Sequence, residues 1–385
     1  MKRKIAVFTG TRAEYGLLKP LMTEIRSSAT LELQLIVSGA HLTPVHGNTW
    51  QQIEQDGFAI DEQVEILLAS DSAIGVTKSM GLALIGFAEV LQRLRPDILV
   101  VLGDRYEALA IATAAMIARI PIAHIHGGES TEGAIDEAIR HSITKMSHLH
   151  FVAAEDYRRR VVQLGEQSDR VWVTGALGVD NIFNLPMLSK LELERLLNIR
   201  LISPCYLLTY HPVTLAEQGA HGALDALIGA LLERGGTIVV TGVNADPGSA
   251  EIREFFAKVA SQYPDRVVVT PSLGAVKYLN LMRYVDAVVG NSSSGLLEAP
   301  YIGVPTVDVG DRQKGRLRAP SVIHCNAEIA DIREALAKAA SCEHRTLALN
   351  LESPYGRPGA SKRIARVLES VSLDGVLKKR FCDLG

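Results

Sequence analysis

Cysteine is scarce in this chain: four among 385 residues, at 205, 325, 342 and 382, with no pair in CxxC spacing. That excludes a disulfide scaffold and a zinc-ribbon pattern, and it fits ordinary thiols in a reducing cytoplasm. A dominant charge is also missing. Forty Lys and Arg stand against 43 Asp and Glu, for a formal net charge of -3. No global basic footprint for nucleic acid exists. No uninterrupted apolar run reaches membrane-spanning length; the longest candidate, ALAIATAAMIARIPIAHI, is broken by Arg119 and Pro121. The opening MKRKIAVFTG leaves too little apolar length before a polar turn for a signal peptide. Neither GxGxxG nor GxxxxGK(S/T) stands at the turn after the first strand, which argues against an NAD-type Rossmann site and a P-loop. The expected setting is cytoplasmic, with no nucleic-acid and no membrane partner.

What is present is enough apolar residue, 47% against 22% charged, to build two domains with cores. Strands and helices alternate. KIAVFTG (4–10), DILVVLGD (97–104) and PIAHIHGG (121–128) read as buried parallel strands, each stopped by a polar turn. Helices are expected over 14–26, 80–94, 107–119 and 136–147, with a mobile segment at 69–76. A second series begins after residue 185, with strands at 205–212, 237–246, 266–272, 286–294 and 305–312. The polar stretch 189–204 reads as a linker, and a last helix is expected at about 360–372. The fold class is therefore α/β, with two Rossmann-like doubly wound domains and a cleft between them for the active site. Domain bounds are expected at 1–185 and 186–360. Residues 361–385 form a C-terminal helix and tail that pack back on the first domain.

Polar groups cluster where the strands end. FTGTRAEYG supplies Arg12; VLGDRYE supplies Asp104 and Arg105; HIHGGE supplies His126 and Glu129. In the second series LTYHPVT supplies His211, TGVNADPGS supplies Asn244, and DVGDRQKGR supplies Arg312 and Arg316. VVGNSSSGLLE brings Ser292 and Ser293 to a helix start, where hydroxyls and backbone N–H groups suit an anion. The bland alternative there is a capped helix, because serine is a preferred N-cap. Arg12, Arg105 and Arg312 fit a phosphate or diphosphate, and with it a nucleotide held between two lobes.

The densest stretch is HIHGGESTEGAIDEAIRH, residues 124–141. Strand alternation sends His124 and His126 to one face, so geometry alone leaves a metal open; His124 reads better as a structural histidine. Asp136 and Arg140 stand at i,i+4. A salt-bridged helix start is the plain reading. In the functional one Asp136 enters the cleft with its charge tuned by Arg140. With Asp104 it makes two separately supplied carboxylates, equipment for taking and returning a proton at carbon.

GTRAEYG, GDRYE, HIHGGE, TEGAIDEAIRHSITKMSHLHF, HPVT, GNSSSGLLE and GDRQKGR, in this order from residue 8 to 316, resemble the UDP-N-acetylglucosamine 2-epimerase family, and most of all its hydrolysing bacterial branch. The resemblance implies a GT-B fold acting on a UDP-sugar with no NAD, no metal and no other cofactor. It implies loss of the C2 proton, elimination of UDP to 2-acetamidoglucal, and addition of water to release N-acetylmannosamine for sialic acid synthesis. By the same resemblance Asp104 and Asp136 hold the acid–base positions and His211 lies near the diphosphate. Arg12, Arg105, Arg312, Ser292 and Ser293 contact phosphate, Glu298 grips the ribose hydroxyls, and Asn244 lies in a loop near the sugar nucleotide. Two departures stand out. Many relatives carry a glutamate where this chain has His126, which leaves His126 and Glu129 as the candidates for its part. Relatives also carry a lysine where this chain has Leu17, with Lys19 two further on. The branch includes enzymes of legionaminic acid synthesis, so UDP-N,N'-diacetylbacillosamine is the alternative substrate. A GT-B glycosyltransferase is the alternative of another class. A homodimer is the expected assembly.

Overall fold

The computed structural model describes residues 2–70, 72–131, 135–211, 221–242, 249–270 and 273–383, without the side chains at 46, 184, 221, 249 and 250. The chain divides into two compact units. One comprises Met1–Ser130, Ile135–Asn181 and Tyr355–Gly385; the other comprises Thr131–Ala134 and Ile182–Pro354.

The first unit is built on seven strands: β1 (Arg3–Thr9), β2 (Leu31–Ser38), β3 (Glu62–Val64), β4 (Ile98–Leu102), β5 (Ile122–Ile125), β6 (Leu149–Val152) and β7 (Val171–Val173). Their order across the sheet is β3-β2-β1-β4-β5-β6-β7, and every pairing is parallel. A parallel sheet is covered on both faces, which is why its strands are apolar throughout. Ile5 and Val7 enter one core with Leu18, Leu21 and Ile364; Ala6 and Phe8 enter the other with Phe87 and Ile111. The helices in order are α1 (Arg12–Ser27), α2 (Trp50–Gln55), α3 (Ala73–Leu94), α4 (Tyr106–Ile117), α5 (Ile135–Met146), α6 (Glu155–Gln163) and α7 (Leu177–Asn184).

The segment expected to be mobile instead opens α3. Ser72 accepts a hydrogen bond from the Gly75 N–H and caps the helix, which starts at Ala73, seven residues before the expected start at 80. At 22 residues α3 is, among the described residues, the one helix long and apolar enough to cross a membrane. Starting the helix at 80 hid that length. Its Ala83, Phe87, Val90 and Leu91 are buried in the core of the first unit, while Ile74, Leu82 and Ile85 are exposed.

The second unit repeats the plan with six parallel strands: β8 (Cys205–Thr209), β9 (Thr237–Thr241), β10 (Val267–Thr270), β11 (Ala287–Gly290), β12 (Thr306–Val309) and β13 (Val322–Cys325). Their order is β10-β9-β8-β11-β12-β13. The stretch expected as a linker forms a helix, Lys190–Leu197, with a full capping box from Ser189 and Glu192. Leu193 and Leu201 lie in the core of this unit, so 189–204 is packed structure.

The last helix, Ala360–Ser370, belongs to the first unit and packs on α1. Its own N-cap, Gly359, has no side chain to cap with. Asp180 reaches in from α7 instead: Oδ1 accepts from the N–H groups of Gly359 (2.6 Å) and Ala360 (3.1 Å), and Oδ2 from Ser361 (2.7 Å). The cap is tertiary, from a carboxylate at the positive end of the helix.

Candidate active site

In both sheets the strand order reverses at one point, between β1 and β4 in the first unit and between β8 and β11 in the second. Loops leaving the carboxyl ends of such strands diverge there and leave a crevice, the usual ligand position in open parallel sheets. Among the described residues, Asp104, Arg105, His126, Glu129, His211, Ser292, Ser293 and Arg312 sit just past strand ends of these sheets, while Arg12 opens α1 and Asp136 and Arg140 lie on α5.

In the first unit β1 delivers Gly10 and Thr11 to the start of α1. Glu14 closes a capping box: its Oε2 accepts from the N–H groups of Gly10 (2.7 Å) and Thr11 (3.1 Å), and its own N–H donates to Thr11 Oγ1. Arg12 is exposed on this turn. Burial raises the Glu14 carboxyl to about 7, against the pull of Arg105 and the two N–H groups, with Glu107 adding to the rise. Arg105, expected on phosphate, is forked onto the buried Glu107 at 3.1 and 2.9 Å. Its charge is matched inside the unit. Lys19 is paired too, with Asp56 at 2.7 Å.

The β5 turn corrects the metal geometry. The strand ends at Ile125, and His126 has φ +66°, outside the strand alternation. His124 is fully buried; its Nε2 lies 2.8 Å from the Gly103 carbonyl and its Nδ1 3.1 Å from Thr144 Oγ1. Both ring nitrogens are engaged, and burial lowers its pKa to about 3. His126 accepts the Leu177 N–H at Nε2 (3.3 Å) and sets Nδ1 2.9 Å from Glu129 Oε1. A neutral ring that accepts at Nε2 carries its proton at Nδ1, close to the carboxylate but not aligned for a hydrogen bond with it. The two histidines therefore do not converge. Among the described residues no group of three or more His, Cys, Asp and Glu is arranged to hold a metal.

Arg140 organises the rest. This side chain is 2% exposed. Nη2 donates to Asp104, and Nη1 donates to Glu137 Oε2 (2.8 Å) and to the Glu129 carbonyl (2.9 Å). The sequence pairs Arg140 with Asp136 by i,i+4 spacing; the geometry brings Asp104 and Glu137 to the guanidinium as well, through the turn after β4 and the i,i+3 spacing on α5. Asp136 is exposed on the first turn of α5. Glu137 was missed, although its spacing to Arg140 and His141 is legible; His141 Nε2 lies 3.1 Å from Glu137 Oε1.

In the second unit β8 ends in Thr209, and His211 follows, nearly buried. Its main chain is held by Asn291, which is fully buried: the His211 N–H donates to Asn291 Oδ1 (2.7 Å), and Asn291 Nδ2 donates to the His211 carbonyl (2.9 Å). Burial first, and the charge of Arg312 second, lower the His211 pKa to about 4, so the imidazole is neutral near pH 7. Gly290 has φ +122°, and a Cβ there would stand 2.0 Å from the Thr209 carbonyl oxygen, so only glycine lets β11 close on β8 at this point. Arg312 Nη1 (3.2 Å) and Gln313 Nε2 (2.8 Å) both donate to the Asn291 carbonyl. Asn291 was passed over because the serines beside it drew the reading.

The helix expected after GNSSSG is a single turn, Ser294–Leu297, followed by a second turn, Ala299–Ile302, with Pro300 near its start. One turn carries little macrodipole, so hydroxyls and Arg312 are the stronger anion donors here. Ser292 and Ser293 lie half-buried at its start. Glu298 accepts from Ser294 Oγ, which accepts from Tyr278 OH at 2.9 Å; burial raises the Glu298 carboxyl. Asn244 and residues 212–214 of HPVT lie outside the described residues.

The sequence profile of the UDP-N-acetylglucosamine 2-epimerase family matches residues 23–369. The chain is 41% identical over 385 residues, all of both chains, to a GDP/UDP-N,N'-diacetylbacillosamine 2-epimerase (hydrolyzing) of Campylobacter jejuni. It is 33% identical over 377 residues, 97% of each chain, to a UDP-N,N'-diacetylbacillosamine 2-epimerase (hydrolyzing) of Legionella pneumophila. Its fold is similar, with a TM-score of 0.80 at 22% identity over 95% of this chain and 99% of the other, to the UDP-GlcNAc 2-epimerase of Neisseria meningitidis bound to UDP-GlcNAc. The GT-B reading of two parallel-sheet units holds, and with a profile that spans nearly the whole sequence the chain belongs to the UDP-N-acetylglucosamine 2-epimerase family.

Proposed function

We propose that the chain is a hydrolysing 2-epimerase that converts a nucleoside-diphosphate 2-acetamido sugar and water into the free 2-epimeric sugar and the nucleoside diphosphate. One observation carries the residue roles: a buried Arg140 holds Asp104 at the carboxyl end of β4. A carboxylate fixed beside a buried cation is held in one orientation, as a base or an electrostatic partner at carbon must be.

In the first half-reaction a base takes the C2 proton, the C1–O bond to the diphosphate breaks, and a C1=C2 bond forms. In the second, water adds its OH to C1 while a proton returns to C2 on the opposite face. Asp104 and Asp136 are the two acid–base carboxylates. Between the two candidates for the missing family glutamate we favour Glu129. His126 already spends its Nε2 lone pair on the Leu177 N–H, so the atom a base would use is engaged, and its Nδ1 lies against the Glu129 carboxylate. The C2 proton is weakly acidic, and stabilising the departing diphosphate must lower much of the barrier. In the second unit Arg312, Ser292 and Ser293 serve there, with neutral His211 near Arg312, and the family resemblance assigns Arg12 of the first unit to the same group. Asn244 and Glu298 complete the nucleotide contacts, and Arg105 acts by tying Glu107 to the β4 turn.

UDP-N-acetylglucosamine came first in the sequence reading. The names of two relatives, of Campylobacter jejuni and Legionella pneumophila, favour the 4-acetamido-6-deoxy sugar, N,N'-diacetylbacillosamine, and one of those names admits GDP as well as UDP. We place the enzyme in the cytoplasm as a homodimer. Proton NMR of EDTA-treated protein in deuterated water tests the reading with each sugar nucleotide separately. Release of the diphosphate and of a free 2-epimer deuterated at C2, without any acceptor, is the expected result. Turnover only after an acceptor is added would mean a glycosyltransferase instead.

A further inference from the structure

Three turns of the second unit, those after β8, β11 and β12, meet at one residue. The Asn291 side chain pairs with both main-chain groups of His211, and its own carbonyl accepts from Arg312 and Gln313. Gln313 is itself only 3% exposed. Its Nε2 is used on that carbonyl, while its Oε1 is buried with no partner. An amide half satisfied in the interior is a poor device for stability, because the unmade acceptor costs folding more than one neutral hydrogen bond returns. Its effect is directional. It occupies one lone pair of the Asn291 carbonyl, so Arg312 meets that oxygen from a single side.

We propose that Gln313 is a positioning residue for the diphosphate end of the substrate. It fixes the Asn291 carbonyl and so sets where the Arg312 guanidinium stands relative to Ser292, Ser293 and His211. The inference rests on the reading that this unit holds the nucleoside diphosphate. Without the Gln313 amide, the carbonyl lone pair is open, and the Arg312 guanidinium turns further onto it and away from the ligand.

Gln313→Met keeps the length of the side chain and removes both the donor and the orphaned acceptor. Calorimetric titration with UDP, thermal unfolding and steady-state kinetics on the sugar nucleotide are measured for wild type, Q313M, R312M and the double variant. Expected for Q313M are a Tm at or above wild type, Kd for UDP and KM raised about tenfold, and kcat within about twofold. The losses in R312M and Q313M should add to less than their sum in the double variant, since one acts through the other. Wild-type UDP affinity in Q313M overturns the proposal, whatever its Tm. Full additivity in the double variant overturns it as well. Should the wild-type protein itself bind neither UDP nor GDP, the functional reading falls and the proposal with it.

Discussion

Glu14 and the buried histidines pull stability in opposite directions with pH. The Glu14 carboxyl is raised from 4.5 to about 7. Between those values the unfolded chain releases a proton that the folded chain keeps, so stability falls as pH rises through this window and stays lowered above it. His41 and His211 are lowered from 6.5 to about 4, burial being the largest cause in both. There the unfolded chain binds protons that the folded chain refuses, and stability falls as pH drops from 6.5 toward 4. Glu14→Gln keeps an acceptor for Gly10 and Thr11. We expect its urea midpoint to exceed wild type at pH 8, by up to a few kcal/mol in free energy, and to match it at pH 4.5. An equal offset at both pH values would mean that Glu14 is not the titrating group. The shift itself was not legible: the sequence places Glu14 in a capping box, but only packing brings Glu107 and Arg105 beside it. His126 was half legible. Its place after a strand was plain, and its left-handed backbone was not, because nothing local demands φ +66° of a histidine.

Among the elements, α5 shows how one helix serves two ends. Its first turns carry Asp136, Glu137 and Arg140. At its other end the carbonyls of Lys145 and of Ser147, just past the helix, accept from Lys379 of the C-terminal tail at 2.7 and 2.6 Å. Periodicity located this helix to within a residue of its start and end. That Arg140 would also take Asp104 was a matter of how α5 docks against the β4 turn, which spacing along the helix does not encode. Arg140→Met should therefore act on two readouts. Leaving Asp104 without its buried cation is expected to cost about 3 kcal/mol of stability in urea unfolding. It should also lower kcat about 100-fold by releasing that carboxylate. Loss of stability with kcat unchanged would make the pair purely structural and remove Asp104 from the mechanism. The turn between β5 and α5 is as sharply specified: Gly128 has φ +77°, and a Cβ would stand 2.4 Å from the Tyr157 carbonyl oxygen.

Across the whole molecule the same plan appears twice, a parallel sheet with a reversal of strand order and polar loops at the carboxyl ends. The alternation of apolar runs with amphipathic helices made that plan readable, because a parallel sheet must bury both faces and its crossovers must be helices. Exposed Ile74 and Ile85 on α3 and Ile117 at the end of α4 are the surface we assign to the proposed homodimer. Light scattering at micromolar concentration should give twice the chain mass for wild type and close to one chain mass for Ile85→Glu; a wild-type monomer would refute the assignment. The order of residues determined the fold class, the strand-end motifs and the family, since each depends on spacing along the chain and on local hydrogen bonding. Contacts between distant segments decided the rest. Asp180 capping a helix that starts at Ala360, Arg140 choosing Asp104, and Asn291 binding three turns together all join groups far apart in sequence, and their partners are set by how buried polar atoms find each other once water has been excluded.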